Sequence, residues 1–217
     1  YQHDDCGNRT QMTEATGDVT TYAYDAIYEL TGQTKRNSGD VVQYSYSYTY
    51  DDIGNRLTLT DQGSAVTTST YNAGGQLIGT DASGTLTTYT YDASGNLQAE
   101  VTSAGTRSYA WDYDDRLTDI EYPDSSETNY IYNSAGQRLT KVEGGTTTRF
   151  VYDGAKVVLE RDGDDETQVR YTHEGGSLYS DLLSQRRDGA SYDYLLDGLA
   201  SVKQIVDSSQ AIENSYS

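Results

Sequence analysis

Cysteine, proline, methionine, tryptophan and phenylalanine occur only once each in a chain of 217 residues. The single cysteine, Cys6, permits no internal disulfide, and only His3 and His173 could join it at a metal. That set is too small for a structural zinc site, which typically takes four Cys or His ligands. Long apolar runs are also missing. The longest span three or four residues, whereas a membrane helix needs about 18 or more. Leu, Ala, Met, Glu and Lys, the builders of helical bundles, give way to Thr, Tyr, Gly and Ser. Cations are scarce: Lys and Arg total 15 against 34 Asp and Glu, for a net charge of −19 and a sequence pI near 4.2. Such a surface repels phosphate and argues against nucleic acid and anionic lipid as partners. The acidity reads first as a solubility device and second as scattered divalent-cation binding. What remains is 22 tyrosines, 28 threonines and 21 glycines. An aromatic content of 11% is too high for a disordered chain.

A phrase recurs through the sequence. Tyr91-Asp92-Ala93-Ser94-Gly95-Asn96-Leu97 is its cleanest copy. Tyr50 to Leu57 is a copy with an extra Arg, Tyr71 to Leu77 carries Asn and Gln for Asp and Asn, and Tyr132 to Leu139 is another. Weaker copies start at Tyr24, Trp111 and Tyr152, and His3 stands in the Tyr place of a first copy. Anchors at 3, 24, 50, 71, 91, 111, 132 and 152 lie 20 or 21 residues apart, with one interval of 26. Such a period predicts a repeat architecture.

A second aromatic sits two residues before most anchors: Tyr22, Tyr48, Tyr89, Tyr109, Tyr130 and Phe150. Spacing of two places both rings on one face of a β-strand. Thr and Val between them favour strands. After each anchor come Asp or Asn, two small residues and Gly. The carboxylate or amide suits the first turn position, and Gly54, Gly75, Gly95 and Gly136 are expected to supply the positive φ of a type I turn with a G1 bulge. Apolar alternation then resumes, as in Leu57 and Leu59. A second turn follows about ten residues later, at Gly63, Gly84, Gly105 and Gly144-Gly145. Each ~20 residues thus gives two strands of normal length. Tyrosines at strand spacing read as packing, with anchor ring above anchor ring along the sheet. Sugar binding on a partly wet Tyr face is the other reading.

This phrase at this spacing resembles the YD repeats of the Rhs family, which includes polymorphic toxins, the C component of toxin complexes, wall-associated contact proteins and teneurins. The resemblance covers residues 3 to about 160. Tyr152-Asp153-Gly154 with Val157-Val158-Leu159-Glu160 is similar to the phrase near the end of such repeats. Tyr194-Leu195-Leu196-Asp197-Gly198-Leu199-Ala200-Ser201-Val202 is similar to the opening of the Rhs-associated core, with Ala200 in place of the usual Gly. The resemblance implies an all-β fold: hairpins forming a spiral, solenoid-like sheet wall, here a partial shell or arc. Residues 1–160 would be the repeat region, and 161–217 the end of the repeats with the start of a truncated core. It further implies a secreted or surface-displayed, non-enzymatic wall segment that encloses a C-terminal toxin, with the family's self-cleaving aspartate site lying outside this chain. Its partners would be further repeats of the same or identical neighbouring chains, an enclosed toxin, or glycans.

Candidate chemistry is sparse. Asp4-Asp5, Asp51-Asp52, Asp114-Asp115 and Asp164-Asp165 are adjacent carboxylates, but neighbours on a strand face opposite ways and most of these fall in turns. His173 has no catalytic motif partner and reads as a loop residue. The run from Asp162 to Glu166 lacks the ligand spacing of a calcium loop and reads as a hairpin tip. No cofactor or metal is expected, and the anchors Tyr24, Tyr50, Tyr71, Tyr91, Trp111, Tyr132 and Tyr152 are expected to be structural. The first ten residues have no basic flank or apolar core, so no signal peptide is read there. No polar cap flanks the repeats. The chain is therefore expected to be a piece of a longer protein whose ends join further repeats.

Overall fold

A computed structural model describes residues 1–62, 65–174, 182–196 and 201–216. Among these residues there are twenty-one β-strands and no helix. They fall into two compact units, Tyr1–Arg107 and Ser108–Ser217.

The first unit contains β1 (Gln2–His3), β2 (Arg9–Thr13), β3 (Val19–Tyr24), β4 (Leu30–Arg36), β5 (Val42–Tyr50), β6 (Arg56–Asp61), β7 (Ala65–Tyr71), β8 (Leu77–Ala82), β9 (Thr85–Tyr91) and β10 (Leu97–Thr102). From β1 to β9, each pairs antiparallel with its successor in sequence. In the second unit the same meander runs through β11 (Gly105–Trp111, paired from Ser108 onward), β12 (Leu117–Glu121), β13 (Glu127–Tyr132), β14 (Arg138–Glu143), β15 (Thr146–Asp153) and β16 (Lys156–Arg161). It continues through β17 (Thr167–His173), β18 (Leu182–Arg187), β19 (Ala190–Leu196), β20 (Val202–Asp207) and β21 (Ile212–Ser215).

Register fixes two unlike faces. Tyr48 opposes Leu59, Tyr46 opposes Gln33 and Asp61, and Tyr89 opposes Glu100. Directly opposed residues share a face, so the tyrosines gather on one side. The other side of the first unit carries Thr21 against Thr34, Thr34 against Ser45, and Thr49 against Thr58. Hydroxyls meet across those pairs, 3.0 Å between Thr34 and Ser45 and 2.7 Å between Thr49 and Thr58. Burial is shallow. Val169 and Val206 are the buried apolar residues among those described, with Thr20, Ser69 and Thr128 as buried polar ones. Cohesion therefore rests on backbone ladders and cross-strand pairs.

The two ends of the hairpins use different turns. The ends away from the anchors include two-residue connections, Ser83-Gly84, Gly144-Gly145 and Asp188-Gly189. Both residues of each have positive φ, from 51° to 94°, the backbone that matches strand twist in a two-residue hairpin. Gly63, expected to mark another, lies outside the described residues. At the anchor ends the register shifts by one residue beside Tyr24, Tyr50, Tyr71, Trp111, Tyr132 and Tyr152. The shift corrects the expected alternation. Tyr50 opposes Arg56 and Thr49 opposes Thr58, so Leu57 is the unpaired extra residue. Leu57 is accordingly exposed, as is Leu139 at the matching place. The Arg of these copies is therefore no insertion: Arg56 and Arg138 occupy the slot that Leu77 and Leu97 fill elsewhere.

Candidate functional site

The anchor turn is built by one side chain. In the Tyr50 copy, Asp51 Oδ1 accepts from the backbone N–H of Ile53 at 3.0 Å and of Asn55 at 2.8 Å. The Asp51 N–H donates to the Asn55 carbonyl, and the Gly54 N–H donates to the Asp51 carbonyl. The same net forms at Asp4, Asp25, Asn72, Asp92, Asp112 and Asn133. The closing residue lies at φ 87° in Gly54, 76° in Gly75, 94° in Gly95 and 79° in Gly136. Tyr28 at φ 70° and Asp115 at φ 56° fill that place without glycine, at a cost of roughly 1–2 kcal/mol for a left-handed L-residue.

The other oxygen or nitrogen of the turn residue selects its partner four positions on. Asp4, Asp51 and Asp92 accept from the amides of Asn8, Asn55 and Asn96. Asp112 accepts from Arg116 Nε at 2.7 Å. Where the turn opens with Asn72 or Asn133, its amide donates to Gln76 or Gln137, each at 2.8 Å. A carboxylate only accepts, so it takes a donor; an amide also donates, so it takes an acceptor. This explains why the phrase alternates between Asp…Asn and Asn…Gln. The Asn55 amide, followed by the backbone donors, holds the Asp51 carboxyl below its ordinary range. The backbone N–H of Asn96, then its side chain, does so for Asp92. Asp25 breaks the pattern, because Glu29 stands where a donor belongs. Desolvation, then the Asp25 charge, pushes the Glu29 carboxyl upward.

The anchor phenols tie each repeat to the one before. Within the first unit Tyr24 donates to the Arg9 carbonyl, Tyr50 to Leu30, Tyr71 to Arg56 and Tyr91 to Leu77, at 2.7–3.0 Å. Within the second, Tyr132 donates to Leu117 and Tyr152 to Arg138, both at 2.9 Å. The acceptor is always the residue that faces the preceding anchor across its turn. The expected ring-above-ring stack gives way to this linkage for a geometric reason. Successive anchors are two strands apart, about 9.5 Å, beyond the 4.5–7 Å or so of a ring pair. Ring stacking does occur inside β5, between Tyr44 and Tyr46 at 5.4 Å. Arginines at the Leu slot cover aromatics on the neighbouring strands: Arg56 over Tyr48 at 5.8 Å, and Arg138 over both Tyr130 and Phe150 at 5.3 and 5.1 Å. Trp111 ends β11 opposite Leu117, at the anchor place.

His173 is not a loop residue. It closes β17, and its Nε2 lies 2.8 Å from the Val157 carbonyl oxygen, the place a phenol takes elsewhere. Sequence reasoning missed this anchor because no Asp-x-x-Gly phrase follows it. The spacing of 21 from Tyr152, with Tyr171 two residues earlier, was the available signal. Leu196 opposes Val202 with the same register shift and holds the next anchor place. Residues 197–200 of the core-like phrase lie outside the described residues. A cavity of about 250 Å³ opens between Phe150, Val157, Tyr171, Leu182 and Tyr194, with Glu160 and His173 on its wall. Tyr171 donates to Glu160 at 2.6 Å; burial first, then this carboxylate, pushes its phenol above the ordinary range.

The adjacent carboxylates serve turns. Asp51 and Asp112 organise theirs, Asp114 pairs with Arg116 at 3.0 Å and Asp165 with Arg149 at 3.0 Å. Asp162 Oδ1 accepts from the N–H groups of Asp164 and Glu166, so that run is a hairpin tip. Among the described residues there is no group of three or more His, Cys, Asp or Glu able to hold a metal, and no helix long and apolar enough to cross a membrane.

Residues 71–108 match the family described as RHS Repeat. Over 103 residues it is 34% identical to the tRNA3(Ser)-specific nuclease WapA of Bacillus spizizenii, a match covering 46% of this chain and 4% of that protein. The Tc holotoxin pore of Photorhabdus luminescens aligns with 97% of this chain at 16% identity and a TM-score of 0.45. The TcdB2-TccC3-TEV crystal structure aligns with all of it at 15% identity and the same score. In both, the chain spans 15% of the matched chain.

Proposed function

We propose that this RHS-repeat chain is a non-enzymatic wall segment of a secreted or surface-displayed protein, part of a shell or fibre that encloses a C-terminal toxic domain. Residues 1–160 are read as the repeat wall and 161–217 as the end of the repeats with the start of the Rhs-associated core. The carrying observation is where the polar groups go. Anchor phenols are spent on backbone carbonyls, and turn carboxylates on turn amides, leaving a framework whose chemistry is internal. Its partners in this reading are further repeats, from the same chain or from identical neighbours, which satisfy exposed strand edges. The wall reading expects the purified chain to leave tRNA uncut and to bind no member of a glycan array.

The cavity beside Tyr171 and Tyr194 favours a second reading, a carbohydrate-binding contact module, since aromatic faces and a carboxylate suit sugar rings. Array binding that Tyr194→Ala abolishes would establish it in place of the wall.

A further inference from the structure

In a chain of charge −19, four arginines gather on one part of a face of the second unit, a face that elsewhere carries Asp119, Glu121, Glu127 and Asp193. Arg170 on β17 lies directly opposite Arg186 on β18. Arg149 on β15 lies directly opposite Arg161 on β16. Leu159 opposes Arg170 and is two residues from Arg161, so all four arginines share a face. Like charges placed opposite one another destabilise a sheet. Arg149 is relieved by Asp165 at 3.0 Å, and Arg187 on the other face by Glu160 at 3.4 Å. Arg170 and Arg186 are exposed and form no ion pair among the described residues. They line one cavity of about 230 Å³ with Thr167, Gln168, Asp188 and Gly189. Close by in the register, Arg161 Nε is buried without a hydrogen-bond partner.

We propose that the Arg170–Arg186 pair binds a phosphate or sulfate group, as the free anion or as the terminal group of an ester. Guanidinium forks meet tetrahedral oxyanions with paired hydrogen bonds, and a doubly charged anion between them turns a repulsive pair into a bridged one. Thr167 supplies a neutral hydroxyl donor at the same cavity, the Gln168 amide being already engaged with Asp162 at 2.6 Å, and Asp188 at the turn restricts the site to a compact group. The acidity of the rest of the chain is compatible, because the site is local and screening confines it to about 8–10 Å at ordinary salt.

The test is thermal unfolding of the 217-residue chain at constant ionic strength, with sodium chloride exchanged for inorganic phosphate or sulfate. At about 20 mM oxyanion the midpoint is expected to rise by about 2 °C or more, as for a site with Kd on the order of 1 mM. Arg170→Gln and Arg186→Gln are each expected to abolish that rise, and in chloride alone to melt no lower than wild type. Arg36→Gln, on β4, keeps the rise. Phosphoserine or glucose 6-phosphate in place of inorganic phosphate separates the sources: an ester at least tenfold tighter marks the ester as the ligand, and equal binding marks the free anion. A rise no larger than chloride gives, or one that persists in both variants, overturns the proposal.

Discussion

The hydroxyl of Tyr50 donates to the carbonyl oxygen of Leu30, 2.7 Å away and twenty residues earlier in sequence. Leu30 is itself the residue opposed to Tyr24, so the bond joins one anchor to the foot of the preceding one. Tyr50→Phe removes the donor and leaves a part-buried carbonyl unpaired there. The expected loss is about 0.5–1.5 kcal/mol in urea unfolding. Tyr22→Phe, on the same face but two residues ahead of its anchor, is expected to cost less. Equal losses would remove the phenol from its linking role.

The turn partners predict a repair. At pH 7 Glu29→Asn should raise stability, because a donor replaces a second carboxylate beside Asp25. Glu29 has its folded pKa raised, so its penalty is present at neutral pH and shrinks as pH falls through that raised value. The variant's advantage is therefore largest near pH 7 and fades on acidification. The converse, Asn96→Asp beside Asp92, should lose stability at pH 7 and recover part of it in acid. Urea midpoints at pH 7 and pH 4 decide both.

Left-handed backbone at non-glycine residues offers a second repair. Tyr28 sits at φ 70° with its side chain exposed. Tyr28→Gly is expected to gain about 1 kcal/mol. Gly95, at φ 94° with the Gln76 amide 3.5 Å from any added β-carbon, predicts the reverse: Gly95→Ala loses about 1 kcal/mol or more. Thermal midpoints of opposite sign are the expected result.

The turn carboxylates set the acid limb. Asp51, Asp92 and Asp207 all have depressed folded pKa values. Their stabilisation is fully present above the unfolded value of about 3.9 and is lost as pH falls through the lower folded values. Denaturant midpoints are thus expected to hold steady from pH 7 to about 5 and to drop below about 4. Asp92→Asn should flatten that drop.

Much of this was legible in residues. Tyr91 to Leu97 spells strand, turn and strand by itself, because spacing, Asx chemistry and glycine are local signals. The phenol linkage was not legible, since its partner lies fourteen to twenty residues away and is a backbone carbonyl of any residue type. His173 and Leu196 escaped because they hold anchor places without a phenol or the following phrase. The bulge hid the equivalence of Arg56 and Leu77: written as a string, Arg looks inserted, and only the register shows which residue is displaced. Arg170 and Arg186 meet only once β17 and β18 are paired.

The phenol linkage also shapes how such a sheet would respond to force. A strand pulled from the end of a plain meander gives way one ladder at a time. Here every anchor hydroxyl reaches across a whole hairpin to the repeat before it, so the outer strand of a repeat cannot leave without loading the inner one. Under tension within one unit, release is expected in steps of two strands. Each step would free about 20 residues, or roughly 66–72 Å of contour at 3.3–3.6 Å per residue, and a single-molecule pulling trace would show that length as its recurring interval.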